Sequence, residues 1–590
     1  MFQRSTQRRT SPKSFAVRLT YVQEIIGSPD RAGLIHLKPD RGGRLHAACE
    51  DAQMREPDIE RRVQVLAPAI LRGLRRGIEK EGLRVRPDGT LASTPHPAGL
   101  GSALTHPRIT TDFSEAQLEL ITGVHADVDA CLAELAELHQ VVYRSLGDEL
   151  VWGASLPCKL PADESIPIAR YGDSNLGRMK FIYRMGLSHR YGRRMQVVSG
   201  IHYNFSVPVE AWPALHAFEA SSYSLELYPD ARYMGLIRNF RRHAWLLLLL
   251  LGTSPAACAS FVGNRAHALQ AWGTGTLFGP GATSLRMGRL GYQSEAQSDL
   301  AVSFNDLAGY AAALDRAMRV PYPPYEAIGL EEGGEFRQLS TALLQIENEF
   351  YGTIRPKRTI RRGERPLHAL GRRGIEYVEV RCLDVDPFMP VGIDADAIRL
   401  LDVFLLHCLL ADSPRDSPAE IRATAVNQRS VAEAGRDPGT RLDRAGEQVT
   451  PAEWGSALLR QCEPIAAALD RAFGGAGYAR VLRASEAALR NPDTLPSARV
   501  LRAVEQDHGR SFPDFVLAQS RRHRDALTDP PLGPSASERY ETLAAESLAQ
   551  ARRMEADDDV PFDTYRRRYL DQALLSGTHF LESDPVDRRL

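Results

Sequence analysis

Apolar residues recur every three to four positions after Asp58. Ile59, Val63, Leu66, Ile70 and Leu74 form one stripe, which predicts a helix over 58–74 that Gly73 and Gly77 weaken at its end. GIEKEGLRV, at 77–85, reads as a strand and PDGT, at 87–90, as a turn. Helical spacing returns over 126–146. MQVVSGIHYNFSV, at 195–207, alternates: Met195, Val197, Ile201, Tyr203, Phe205 and Val207 form one face, and Gln196, Gly200, His202, Asn204 and Ser206 the other. IEYVEVRCLD, at 375–384, puts Tyr377, Glu379, Arg381 and Leu383 on a single face. ITTDFSEAQLELIT, at 109–122, sets Asp112 and Glu119 among apolar residues, and a helical face competes there because Glu115 and Glu119 are four apart. The apolar run AWLLLLLL at 244–251 is too short to span a bilayer and reads as a buried helix. From about 395 the chain is mostly helical, with AIRLLDVFLLHCLLAD at 397–412 the clearest segment. The order predicts an α+β fold, a sheet carrying the chemistry and helices buttressing it.

The strand faces pose a problem. Glu79 and Glu81 point the same way as Leu83, with Ile78 opposite. Two like charges this close repel unless a cation lies between them. His202, and Glu379 beside Arg381, each have an ordinary explanation alone, as a structural histidine and a solvated ion pair. Taken together, the four segments predict carboxylates converging on a cation. An oxygen-rich set with one imidazole and no thiolate suits magnesium or manganese rather than structural zinc, and such sets serve phosphate chemistry. There is no GxxxxGK[ST] loop and no kinase signature. The glycine-rich WGTGTLFGPGATSLR at 272–286 is weak by itself. Arg178, Lys180 and Arg184, and Arg355, Lys357 and Arg358, are candidates for neutralising phosphate oxygens, although any one of them reads equally well as solvated surface.

Composition adds limits. Lys plus Arg number 73 against 74 Asp plus Glu in 590 residues, a net charge of −1, so nothing argues for bulk attraction to nucleic acid or membrane. The seven cysteines (49, 131, 158, 258, 382, 408 and 462) form no CxxC pair, which fits a reducing compartment better than a disulfide scaffold or a zinc site. The opening stretch carries Arg4, Arg8, Arg9, Lys13 and Arg18 and no acid. A transit peptide competes there with an irregular tail over 1–53 ahead of a start at Met54, and the tail is the expectation adopted; no secretory signal is visible. The catalytic region is expected over 54–590.

Six motifs in order carry a resemblance: GIEKEGLRV, ALTHPRITTDFSEAQLELIT, YGDSNLGRMKFIYRMGLSHRYGRRMQVVSGIHYNFS, SFNDL, LQIENEFYGTIRPKR and GIEYVEVRCLDVDPF. The chain resembles glutamate–cysteine ligase of the proteobacterial type, densely over 77–410 and weakly beyond about 440. The resemblance implies a glutamine-synthetase-like antiparallel sheet curled into a funnel with metals at its base. It implies ATP-dependent joining of the glutamate γ-carboxylate to the cysteine amine through γ-glutamyl phosphate, the first step of glutathione synthesis. Glu79, Glu81, Asp112, Glu119, His202 and Glu379 match the metal-binding positions. Arg381 would face the transferred phosphate, with Arg184 as a second catalytic cation. Arg286, Tyr292 and Tyr351 match positions holding cysteine, and Asn204 is grouped with the substrate-binding residues. Gly82 departs from the pattern without touching the acids. The implied setting is a cytoplasmic monomer using Mg2+, with Mn2+ as an alternative, and ATP as co-substrate, without nucleic-acid or membrane partners. Another carboxylate–amine ligase of the same superfamily, or an inactive metal- or nucleotide-binding relative, stands as the rival.

Overall fold

The computed structural model describes residues 59–571 apart from 158, 292–295, 298–299, 301 and 362–363. The N-terminal extension expected over 1–53, and Tyr292, therefore lie outside the described residues. The described residues all fall within one compact unit.

Seven strands build the central sheet: β1 (Arg75–Val85), β2 (Ile109–Thr111), β3 (Gln117–Ile121), β4 (Leu150–Val151), β5 (Ile201–Ser206), β6 (Ile354–Lys357) and β7 (Tyr377–Leu383). They run in the order β6-β7-β5-β1-β3-β2, with β4 paired to the end of β1. Every pairing is antiparallel. β1 is central and buried on both faces. Ile78 joins the larger apolar core, and Leu83 and Val85 a second one.

Local chemistry moves several predicted boundaries. The helix expected over 58–74 is two pieces, Ile59–Val65 and Pro68–Arg72. Pro68 lacks an N–H and pushes Ala67 to an extended ψ of 151°, so the helix stops and restarts there. The strand expected over 195–207 exists only from Ile201, because Arg193–Gln196 is a helical turn. At 109–122 the hairpin wins over the helix. The carboxylate of Glu115 accepts the backbone N–H groups of His96 and Arg170, both at 2.8 Å, so that acid serves the loop.

Helices cover the sheet as predicted: α1 (Val128–Ser145), α2 (Asn175–Tyr191), α3 (Tyr228–Leu251), α4 (Ala395–Leu410), α5 (Pro451–Phe473), α6 (Gly477–Arg490) and α7 (Phe512–Thr528). The leucine run closes α3 and is buried but for Leu251, which is partly covered. Among the described residues no helix is long and apolar enough to cross a membrane. Cys131, Cys382, Cys408 and Cys462 are free and buried. Cys258 is disulfide-bonded, which the scattered spacing had not suggested.

One buried network fastens sheet to helices. Arg76 of β1 pairs with Asp402 of α4 at 2.9 Å, both side chains being wholly inaccessible. Tyr203 of β5 donates to Asp402 at 2.6 Å and Tyr478 of α6 at 3.3 Å. The four residues come from four elements, so the carboxylate fixes how β1 and β5 lie on the helices. Asp402→Ala leaves a buried guanidinium without its counter-charge and is expected to cost on the order of 3–5 kcal/mol. Urea denaturation measures this; a loss within the range of ordinary surface substitutions would show that the network is not a fastening point.

Candidate active site

Strand register explains why the acids meet. Glu81 of β1 stands directly opposite Glu119 of β3, Glu79 opposite His202 of β5, and Glu379 of β7 opposite Asn204 of β5. Directly paired residues project from the same face, and the period of two puts Glu79 beside Glu81 and His202 beside Asn204. Three antiparallel pairings thus gather residues far apart in sequence onto one face.

The imidazole of His202 lies between two groups. Its Nδ1 is 3.3 Å from Glu79 Oε2 and 3.8 Å from Glu379 Oε1, and its Nε2 is 3.5 Å from Glu81 Oε1. Glu79, Glu119 and His202 each offer a ligand atom within 4.8 Å of the other two. Of the six predicted ligands these three form the tightest set, and Glu81 and Glu379 flank it. Asp112, in the turn between β2 and β3, acts electrostatically on Glu81 and Glu119. Its carbonyl is held by the Tyr171 hydroxyl at 3.0 Å and by Arg184 Nε.

The four glutamates differ in proton affinity. Burial lifts Glu119 well above its ordinary range, and Glu79, Asp112 and Glu81 lift it further. Burial also raises Glu81, against the pull of His202. Burial pushes Glu379 up too, but Lys357, Arg381 and His202 outweigh it and hold the carboxyl well below the usual value. Glu79 is likewise lowered: burial and Glu379 raise it, and the His202 hydrogen bond and Lys357 prevail. The donor set fits a hard divalent cation. It is rich in oxygen, it contains two carboxyls whose ionisation is resisted, and the buried Glu379 Oε2 has no hydrogen-bond partner among the described residues.

Cations and amides frame the acids. Glu379 Oε1 takes Arg381 Nη1 at 3.2 Å and Lys357 Nζ at 3.3 Å. Asn204 Nδ2 donates to Glu79 Oε1 at 2.8 Å, so this predicted substrate residue orients an acid. Glu81 accepts the Gly200 N–H at 2.8 Å. Gly200 also makes room for Arg286, since a Cβ there would lie 2.0 Å from the Arg286 guanidinium. Arg286 is buried and donates to the Arg381 carbonyl at 3.1 Å. Arg184 stacks on Tyr171 with its guanidinium 4.6 Å from the ring centroid and bonds to backbone carbonyls, so it buttresses the Asp112 turn. Tyr351 accepts from Gln196 at 3.0 Å.

Two contributors, Gly200 and Lys80, have no role in the sequence reading, and a third, Lys357 of β6, stands there only as one of six candidate cations for phosphate oxygens. Gly200 is there only a member of a polar face. Lys80 is buried on the reverse of the strand, its Nζ 3.0 Å from His139 Nε2, and burial pulls its ammonium down to about 8. The available signal for Gly200 is a glycine inside an otherwise alternating strand pattern, which marks a close approach of another group.

Glu119 yields a pH prediction. Its folded-state proton affinity exceeds the ordinary value of 4.5, so the stability it contributes is present at low pH and lost as pH rises through and above 4.5. In chelator, wild-type protein should lose stability relative to Glu119→Gln over that rise, and magnesium should remove the difference. Thermal melts across pH test this; parallel curves for the two proteins would contradict it.

Comparison with known proteins agrees with the geometry. A family model described as glutamate-cysteine ligase matches residues 63–431. The glutamate–cysteine ligase of Azotobacter vinelandii is 49% identical over 512 residues, covering 86% of this chain and 96% of that protein. The corresponding protein of Bordetella petrii is 49% identical over 500 residues, covering 84% and 93%. The crystal structure of glutamate–cysteine ligase from Francisella tularensis in complex with AMP superposes with a TM-score of 0.80 at 36% identity, covering 85% of this chain and 98% of that one. The chain belongs to the glutamate–cysteine ligase family.

Proposed function

We propose that the carboxylate face of the sheet is where this enzyme carries out its family's reaction: ATP-dependent ligation of the glutamate γ-carboxylate to the cysteine amine. The observation that carries the reading is the convergence of Glu79, Glu119 and His202, with Glu81 and Glu379 flanking them. Those five, with Asp112, would hold magnesium, or manganese in its place. Bound there, the cation would screen the repulsion between the glutamate carboxylate and the phosphates of ATP.

The γ-carboxylate is a poor electrophile. Taking the γ-phosphoryl group of ATP turns it into an acyl phosphate and releases ADP. The cysteine amine then attacks the acyl carbon, and phosphate leaves. Such transfers need positioning and charge stabilisation more than a protein nucleophile, and no cysteine is assigned one. Arg286 and Tyr351 are the residues proposed to hold the amine substrate, together with Tyr292. Asn204 fixes the oxygen of Glu79 that does not face His202. Arg184 holds the Asp112 turn and sets a positive charge near Glu119. The reading carries a cytoplasmic setting with it.

Arg381 is proposed as the phosphate clamp. The alternative role is neutralising Glu379, which it touches. Lys357 already meets the same oxygen at 3.3 Å, so that carboxylate keeps a counter-charge without Arg381. A planar fork is suited to a phosphoryl group in a way an ammonium is not.

Two measurements test the assignment. Phosphate release from ATP should require glutamate and rise with cysteine more than with other amines; equal stimulation by other amines would point to a different ligase. Arg381→Ala should lose turnover on the order of a hundredfold, the scale of one preorganised transition-state donor, without rescue by excess magnesium, and Arg381→Lys should also be impaired. Restoration by magnesium would assign Arg381 to Glu379 instead.

A further inference from the structure

A second buried carboxylate network adjoins Tyr351. Glu349 sits in the one-turn helix Glu347–Glu349 and is 2% exposed. Its Oε1 accepts Arg190 Nη1 at 2.8 Å and the Tyr191 hydroxyl at 2.9 Å, and its Oε2 accepts the Gln345 N–H at 2.7 Å. Arg190 and Tyr191 close the end of α2. The Arg190–Glu349 pair is wholly inaccessible on both sides, so it contacts no substrate.

The network leads to Tyr351. Gln297 Nε2 donates to the Glu349 carbonyl at 2.9 Å and to the Tyr191 hydroxyl at 3.2 Å. The other end of the same amide, Gln297 Oε1, accepts the Tyr351 N–H at 3.0 Å. The rings of Tyr191 and Tyr351 meet edge to face, with centroids 5.7 Å apart and planes at 81°. Tyr351 is thus set in two ways: its backbone through Gln297, which the main-chain carbonyl of Glu349 and the Tyr191 hydroxyl hold, and its ring through Tyr191, whose hydroxyl the Glu349 carboxylate accepts.

We infer that Glu349 is a positioning residue for the amine substrate, holding Tyr191 and Tyr351 as a fixed aromatic wall and so setting selectivity for the small thiol side chain. The inference rests on the reading of Tyr351 as part of the amine pocket. A carboxylate is required because donors approach both its oxygens: Arg190 and Tyr191 on one, the Gln345 amide on the other. A glutamine can accept on one side only and presents an N–H to a donor on the other.

The test is steady-state kinetics of Glu349→Gln with cysteine and with 2-aminobutyrate, in which a methyl replaces the thiol. The KM for cysteine should rise about tenfold while kcat and the KM values for glutamate and ATP stay within about twofold, and the preference for cysteine over 2-aminobutyrate should fall. Tyr191→Phe removes only the hydroxyl and should move the same parameters in the same direction by about threefold, the scale of one neutral hydrogen bond. If Glu349→Gln does not fold, Tyr191→Phe decides alone. Equal rises in all three KM values, or a lower kcat at unchanged cysteine KM and selectivity, would overturn the positioning role. A wild-type protein that released no phosphate with glutamate and cysteine would instead overturn the reaction on which it rests.

Discussion

Four glutamates are gathered around one imidazole on one face of an antiparallel sheet, with Asp112 in the turn acting on two of them, and the repulsion among these acids is the constraint the surrounding structure answers. Glu81 faces Glu119 across one strand pair, an arrangement that destabilises an ordinary sheet. The answer is unequal treatment. Glu379 and Glu79 are held ionised by Lys357, Arg381 and His202, whereas Glu81 and Glu119 are buried where ionisation is resisted. A fixed scaffold is needed to keep them together. The Asp402 network supplies it, binding β1 and β5 to α4 and α6 with a fully buried charge pair that would be costly to break.

The same economy of positions governs the side chains beside the acids. Gly200 gives its N–H to Glu81, its carbonyl to the Glu81 N–H at 3.0 Å, and its missing side chain to Arg286. Asn204 serves Glu79. Arg184 serves the turn that presents Asp112. Residues that sequence reading had placed among the substrate-binding and catalytic groups therefore also hold other residues in place.

How much was legible followed the range of the physics. Alternation in GIEKEGLRV and IEYVEVRCLD is local, and both became strands carrying their acids on the expected face. The α+β order and the helices at 126–146 and 397–412 rest on periodicity of the same kind. The broken helix at Pro68 was visible in principle, because proline restricts its neighbour, but the apolar stripe runs straight through it. Register was not legible: no pattern within one strand says that Glu379 will face Asn204. Nor were Asp402, Glu349 and Lys80, since a buried charge looks in sequence like any charge on a helix, turn or strand until its partner arrives from elsewhere in the chain, 59 residues away for Lys80 and 326 for Asp402. The six acid and imidazole positions were named through family resemblance as much as through spacing.

β6 forms one edge of the sheet and contains Pro356. The carbonyls of Thr353 and Lys357 accept from the β7 side, so the alternate positions, Pro356 among them, turn their backbone groups outward. Proline has no N–H to present there, and Arg355 and Lys357 flank it. An open edge is otherwise a template on which a stray strand from another chain can assemble. The proline removes one rung of that ladder, which discourages the catalytic sheet from being extended by neighbouring chains in a crowded cell.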